Sequence, residues 1–213
     1  MKLNTLQTKK RVLSWAMLLV ASLSLSACVS LITPKVEKTV SELRAGEYSL
    51  DKGHATLLFK IQHMGLSTYV GRFNQLEASL DFDPADIAAA KLSAVIQVDS
   101  LDINDAGLKD DLMGTKWFNQ ASHPEVIFNT TSVKEINEST FEFTGDLAWR
   151  GVTRSMVLQA TFHGGASNIL TGKYTIGFSA KGSFLRSDFG MDAFIPLVGD
   201  KVEIETYAEF QRN

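Results

Sequence analysis

Apolar and polar residues alternate along most of the chain from Gly46 onward. Ala55, Leu57, Phe59, Ile61 and His63 alternate with Thr56, Leu58, Lys60 and Gln62. Leu92, Ala94, Ile96 and Val98 alternate with Ser93, Val95, Gln97 and Asp99. The same two-residue period runs through Phe141–Trp149, Tyr174–Ala180 and Val202–Ala208, with further runs at Tyr69–Phe82, Val126–Val133 and Ser155–Phe162. Side chains two apart share one face of a strand. Eight or so such runs, separated by turn signals such as Gly164-Gly165-Ala166-Ser167-Asn168, predict an all-β antiparallel barrel or sandwich.

Two stretches break the alternation. Pro84 to Ala90 reads as a helical turn capped by Asp83, with Pro84 as its first residue. Asp105 to Phe118 is the stronger helix candidate, because Leu108, Leu112, Met113 and Lys116-Trp117 fall at helical spacing. There is no internal repeat and no low-complexity tract.

The front of the chain has a different character. Lys2, Lys9, Lys10 and Arg11 precede an uncharged run from Val12 to Leu25, followed by Ser26, Ala27 and the single cysteine, Cys28. A positive head, a short apolar run and small residues make a secretory signal. The run is shorter than the ~20 residues of a membrane-spanning helix. Leu25-Ser26-Ala27-Cys28 resembles the lipobox of bacterial lipoproteins. That resemblance implies cleavage before Cys28 and acylation of Cys28. The expected organisation is a signal peptide at 1–27, a lipidated stalk at 28–45 and a barrel domain at 46–213.

Removing residues 1–27 takes away four of 21 basic residues and none of 24 acidic ones, which leaves a formal charge of −7. Such a chain has no electrostatic reason to bind nucleic acid. Attachment to a membrane must come from acyl chains on Cys28. With one cysteine there is no internal disulfide, so the core alone holds the domain.

Candidate chemistry is sparse. His54, His63, His123 and His163 show no metal-ligand spacing, so no metal site is expected. Asp102, Asn104, Asp105, Asp110 and Asp111 fail the EF-hand pattern, with Ala106 and Met113 at its fifth and twelfth positions. They suit a solvated turn and a helix start. No Gly-x-Ser-x-Gly and no glycine-rich phosphate loop appear, so no catalytic residue and no cofactor are expected. The aromatic load stands out. Phe59, Phe73, Phe128, Phe143, Trp149 and Phe178 fall on inward faces, with Trp117 and Phe118 after the helix. Small barrels either fill their interior or hold a ligand, and periodicity leaves both readings open.

A series of short motifs, in order, resembles the YceI family of lipocalin-like periplasmic polyisoprenoid-binding proteins. They include Tyr48-Ser49-Leu50-Asp51, His63-Met64-Gly65, Gly71-Arg72-Phe73 and Leu80-Asp81-Phe82-Asp83. Lys116-Trp117-Phe118, Pro124-Glu125-Val126-Ile127-Phe128, Gly145-Asp146-Leu147 and Gly151-Val152-Thr153-Arg154 follow. Arg186-Ser187-Asp188-Phe189-Gly190 and Val198-Gly199-Asp200-Lys201-Val202 complete the series. Cys28 and His123 depart from the commoner family pattern.

The resemblance implies an extended eight-stranded antiparallel barrel with one or two short helices. It also implies an isoprenoid-type ligand in the lumen, a polyprenyl phosphate or a quinone-like lipid. Phe59, Phe73, Trp117, Phe128, Phe143, Trp149 and Phe178 are the expected wall, and His63, Arg72 and Arg186 the expected head-group contacts. Asp188 is an alternative partner for Arg186. The expected function is a binding protein, not an enzyme, that sequesters or transports the lipid. The alternative is a solid-barrel interaction or assembly lipoprotein. The expected location is the periplasm, anchored in the inner leaflet of the outer membrane, since Val29 stands where an inner-membrane retention signal has Asp. Homodimerisation stays open.

Overall fold

The computed structural model describes residues 34–213 except 170. The expected signal peptide, Cys28 and the first part of the stalk lie outside the described residues. Ten strand segments and one α-helix follow in chain order. They are β1 (Gly46–His63), β2 (Ser67–Phe73), β3 (Leu76–Phe82), β4 (Lys91–Gln97), β5 (Leu101–Asp102), α1 (Ala106–Met113) and β6 (Glu125–Asn137). Then come β7 (Thr140–Trp149), β8 (Val152–Ser167), β9 (Tyr174–Leu185) and β10 (Val198–Arg212).

The ten segments form eight staves of one barrel. β2 and β3 are one strand broken at Asn74-Gln75: β2 pairs with the second half of β1, from Leu57↔Phe73 to His63↔Ser67. β3 pairs with its first half, from Gly46↔Phe82 to Ser49↔Ser79. β4 and β5 are likewise one strand broken by the 3-10 turn Val98–Ser100. The two breaks sit side by side and are bridged: the Asn74 amide donates to Ser100 O, and the Gln97 amide to Gln75 O. Every other neighbour is antiparallel and consecutive, and β10 returns to pair with β1 from Tyr48↔Arg212 to His63↔Val198. The expected all-β eight-stranded barrel is therefore present and closed.

One end is plugged. Val40 and Leu43 are buried among Tyr48, Leu80, Phe82, Phe141, Phe162, Tyr174, Ile176 and Phe210. Residues from 36 on, expected as free stalk, instead lie on the barrel. The amides of Glu37 and Gly165 each donate to the other's carbonyl, and Tyr174 Oη donates to a Glu37 carboxylate oxygen. Burial, helped by that bond, holds the Tyr174 phenol well above its ordinary pKa. Gly164 and Gly165, expected as a turn, lie inside β8. A Cβ on Gly165 would sit 2.6 Å from Leu43 Cδ2, and one on Gly164 2.3 Å from Val36 Cγ1. The missing side chains let the N-terminal segment approach.

The other end carries α1 and the loops before β6 and β10. Asp105 caps α1 by accepting the Leu108 amide at 3.0 Å. The helix stops at Met113, short of the expected Phe118, because Gly114 turns to an extended conformation. The Phe118 amide then folds back onto Leu112 O. The expected turn after Asp83 is one 3-10 turn, Ile87–Ala89. Leu43→Ala should lower unfolding free energy by about 2–4 kcal/mol in chemical denaturation. An unchanged midpoint would mean that the plug is a free tether.

Candidate functional site: an apolar lumen and its mouth

The inward rows of the staves enclose a cavity of about 510 Å3. That lies within the ~300–1,000 Å3 of small-molecule sites. Beyond Val198 at the rim, every second residue of β10 from Val202 to Phe210 lines it. This is roughly 26 Å of strand at ~3.3 Å per residue. At the usual strand tilt it becomes about 20 Å along the axis. The cavity is long, and it is not filled by the aromatics.

Small residues explain why. Ala78 pairs with Ala94 across β3–β4, and Ala160 with Ala180 across β8–β9. In the ring order β4 lies four staves from β9, and β3 four from β8, so these pairs face each other across the lumen. All four line the cavity, as does Ala208. The aromatics sit on the remaining wall and towards the mouth. Phe59 and Phe73 have ring centroids 5.8 Å apart, Phe73 and Phe118 6.2 Å, and Phe118 and Trp149 5.1 Å. Phe59 lies over Gly71, its paired residue on β2, where a Cβ would fall 2.4 Å from the ring.

The structure brings together every lumen residue expected from sequence: Phe59, His63, Phe73, Trp117, Phe128, Phe143, Trp149, Phe178 and Arg186 all line the cavity. Arg72 does not; it is exposed and faces away. Sequence reading missed Tyr69, Asp111, Phe184, Met191 and Phe194 in the lining, together with the alanines that make the space. The alanines had a signal, namely inward positions in alternating rows, but a small apolar residue reads as ordinary core until the facing wall is known.

Polar groups gather at the mouth. His63 ends β1 and is exposed, and Tyr69, Asp111 and Arg186 stand nearby. Arg186 is 2 % exposed and is committed to the protein. Its Nε donates to Gly199 O at 2.8 Å, and Nη2 donates to Ala193 O and Val198 O at 2.9 Å each. Nη1 donates to Met191 O. Its plane stacks over Trp117, 5.1 Å from the ring centre. Burial pulls its pKa down, against the neighbouring Asp200 and Asp192. Asp188, the expected alternative partner, is exposed; Asp200 instead accepts from the Ser187 amide and hydroxyl. Arg150 adds a second clasp, donating to Gly190 O and Thr115 O at 3.1 Å. The two arginines fix the mouth loops through carbonyls.

One grouping lies outside the lumen. Asp51, His54 and Glu209 bring ligand-type atoms within 4.8 Å of one another at the β1 bulge. Local spacing hid it, because Glu209 arrives from β10. The Asp51 carboxylate accepts from His54 Nδ1 at 3.0 Å, from the Gly53 amide and from Gln211 Nε2. The His54 bond holds Asp51 below the ordinary carboxylate range and raises the imidazole. The cluster is a hydrogen-bonded brace across the bulge.

Comparison with known proteins agrees with this architecture. The YceI-like domain family matches residues 48–210. A UPF0312 protein of Yersinia pestis (strain Pestoides F) is 33% identical over 168 residues, covering 78% of this chain and 86% of that protein. Burkholderia cenocepacia BcnA superposes with a TM-score of 0.68 at 21% identity, covering 75% of this chain and 98% of BcnA. A polyisoprenoid-binding domain from Saccharophagus degradans, implicated in plant cell wall breakdown, gives 0.63 at 14% identity, covering 80% of this chain and all of that domain. The fold is that of the YceI-like barrels. The chain belongs to the YceI family.

Arg186→Gln should lower stability by at least about 3 kcal/mol, since several buried carbonyls lose a charged donor together. Thermal and chemical denaturation measure it. An Arg186 free to serve a ligand head would leave stability unchanged.

Proposed function

We propose that this protein is a lipid-binding barrel that sequesters or transports an isoprenoid-type lipid in its lumen. The carrying observation is the long apolar cavity, open at one end and left unfilled by facing alanine pairs. Burying an isoprenoid chain there gains roughly 25 cal/mol per Å2 removed from water. A structural neighbour described as polyisoprenoid-binding has the same fold and supports the reading. The cavity lining offers His63 and Asp111 at its mouth and an almost wholly apolar interior, which favours binding over catalysis.

The head group in this reading is neutral, as in a quinone or a prenyl alcohol. Four donors of Arg186 are spent on backbone carbonyls. Among the described residues no lysine lines the cavity, whereas the Asp111 carboxylate does. A phosphate at the mouth would meet that carboxylate with no free cation in the lining to offset it. His63 and Tyr69 suit a carbonyl or hydroxyl instead.

We further propose export, acylation of Cys28 and residence in the inner leaflet of the outer membrane, on the strength of Leu25-Ser26-Ala27-Cys28 and Val29. Mass spectrometry of the processed N-terminus and membrane fractionation test this part.

The deciding experiment is mass spectrometry of an organic extract of protein purified from its own host. The expected result is one stoichiometric isoprenoid with an uncharged head. An empty barrel of undiminished thermal stability would move the reading to an interaction protein. Ala180→Phe, which puts a ring into the space between the facing walls, should abolish uptake of an apolar fluorescent probe. Its melting temperature should stay within a few degrees of the parent, roughly the effect of ~1 kcal/mol. Retained uptake would show that the lumen is not the site.

A further inference from the structure

The loops around the mouth expose carbon. Met64 is 54% exposed and Leu66 82%, both in the β1–β2 hairpin; Phe194 is 62%, Ile195 38% and Leu197 56% exposed, all in the loop before β10. The two loops meet: the Met64 amide donates to Leu197 O at 2.6 Å. Phe194 stacks on Trp117, their centroids 6.2 Å apart, and both line the lumen entrance. The exposed patch is thus continuous with the apolar wall inside. Other exposed large apolar side chains among the described residues, such as Ile136, Val157 and Ile169, lie on other staves and turns. Solitary exposed apolar residues are ordinary, whereas a cluster around an opening is not.

Three further observations say what this patch meets. Several of its backbone amides are paired within the patch. The Leu66 amide donates to His63 O, the Ile195 amide to Asp192 O and the Val198 amide to Phe194 O. Such loops enter hydrocarbon without stripping water from unpaired amides. The patch is also held open at a cost: Met64 and Phe194 sit at φ 55° and 63°, a region that disfavours side-chain-bearing residues. Buried Arg186 grips the carbonyls of Met191, Ala193, Val198 and Gly199, on either side of the exposed tips. Finally, the chain enters the barrel at the plugged end, where Glu37 pairs with Gly165. The segment from Cys28 to Glu37 spans at most about 30 Å. From the level of Phe210, which Ile176 links to Gly165 and Glu37, to Val198 at the mouth is about 30 Å along the tilted axis, so a segment starting at Cys28 would reach the mouth only at full stretch.

We infer that Met64, Leu66, Phe194, Ile195 and Leu197 form a docking collar that enters the acyl region of a phospholipid bilayer. A lipid then passes between bilayer and lumen without crossing water. The inference rests on the lumen being a lipid site. Aromatic and aliphatic tips over a rigid polar base are the pattern of interfacial insertion.

Trp117 is the reporter. From Cys28 on, the tryptophans are Trp117 and Trp149, and Trp149 is buried. The processed protein, carried in plain donor vesicles where acylated, is mixed with acceptor vesicles. These are made of phosphatidylethanolamine and phosphatidylcholine with brominated acyl chains. The expected result is quenching and a blue shift of Trp117 emission. A variant combining Leu66→Ser, Phe194→Ser and Leu197→Ser should bind acceptor vesicles at least about tenfold more weakly. Ile169→Ser, at the plugged end, should match the parent. An apolar fluorescent probe measured in parallel separates the two ideas. Probe uptake without quenching overturns the collar and leaves the lipid-site reading standing; quenching without uptake overturns that reading. A dimer that the triple variant dissolves, with no quenching in the parent, assigns the patch to a second copy and overturns the collar.

Discussion

The structure depends on the closure of β1 against β10. That seam runs from Tyr48↔Arg212 to His63↔Val198, with one bulge at Asp51–His54 and another slip near its end. Once it is made, every stave has two neighbours and the sheet has no free edge. Backbone hydrogen bonding then supports the wall whatever fills the centre. An open sheet would need its inner face packed tight, because voids lose dispersion contacts outright. Here the packing is moved to the ends. One cluster around Tyr48, Tyr174, Ile176 and Phe141 plugs the base, and another around Val98, Phe189, Met191 and Trp149 frames the mouth. The lumen between them is free to stay hollow.

The mouth is built on a different principle. Its loops are irregular, so their carbonyls have no ladder to join. Buried carbonyls need donors. Arg186 supplies them at Met191, Ala193, Val198 and Gly199, and Arg150 adds exposed bonds to Gly190 and Thr115. A guanidinium suits this work because its N–H groups radiate in a fixed plane. The consequence for ligand choice is direct. The positive charge nearest the lumen is turned towards backbone oxygens, and the head of the proposed ligand would be left with an imidazole, a phenol and a carboxylate.

Much of this was legible in the chain itself. Alternation of period two marked every long strand, because each stave has one wet and one dry face. It also put Phe59, His63, Phe73, Phe128, Phe143, Trp149 and Phe178 on inward rows, whereas Trp117 and Arg186 lie outside the alternating runs and were expected from the family motifs. Four matters escaped. The breaks at Asn74-Gln75 and at Val98–Ser100 hold Asn74, Asp99 and Ser100, too short a polar run to stand out from a continuous strand; each matches the other across the ladder. Gly164-Gly165 looked like a turn, while its role is to receive Val36 and Leu43 from far away in sequence. The role of Arg186 is set by carbonyls whose placement no local pattern predicts. The hollow itself depends on alanines meeting across the barrel, a relation between β3–β4 and β8–β9 that single-strand periodicity does not contain.

The positions of plug and mouth set a polarity. The N-terminal segment enters beside Gly165, Tyr174 and Leu43, while the lumen opens beside His63, Trp117 and Phe194. These are opposite ends of the same staves, since β8 runs from Val152 at the mouth to Ser167 at the base. Nine residue steps lead from the proposed anchor, Cys28, to Glu37, and about 30 Å is their full reach. Under that proposal, setting the mouth squarely on the anchoring leaflet would need the segment at full stretch. Standing on its base, the barrel would instead turn the proposed collar away from the leaflet that holds the proposed anchor.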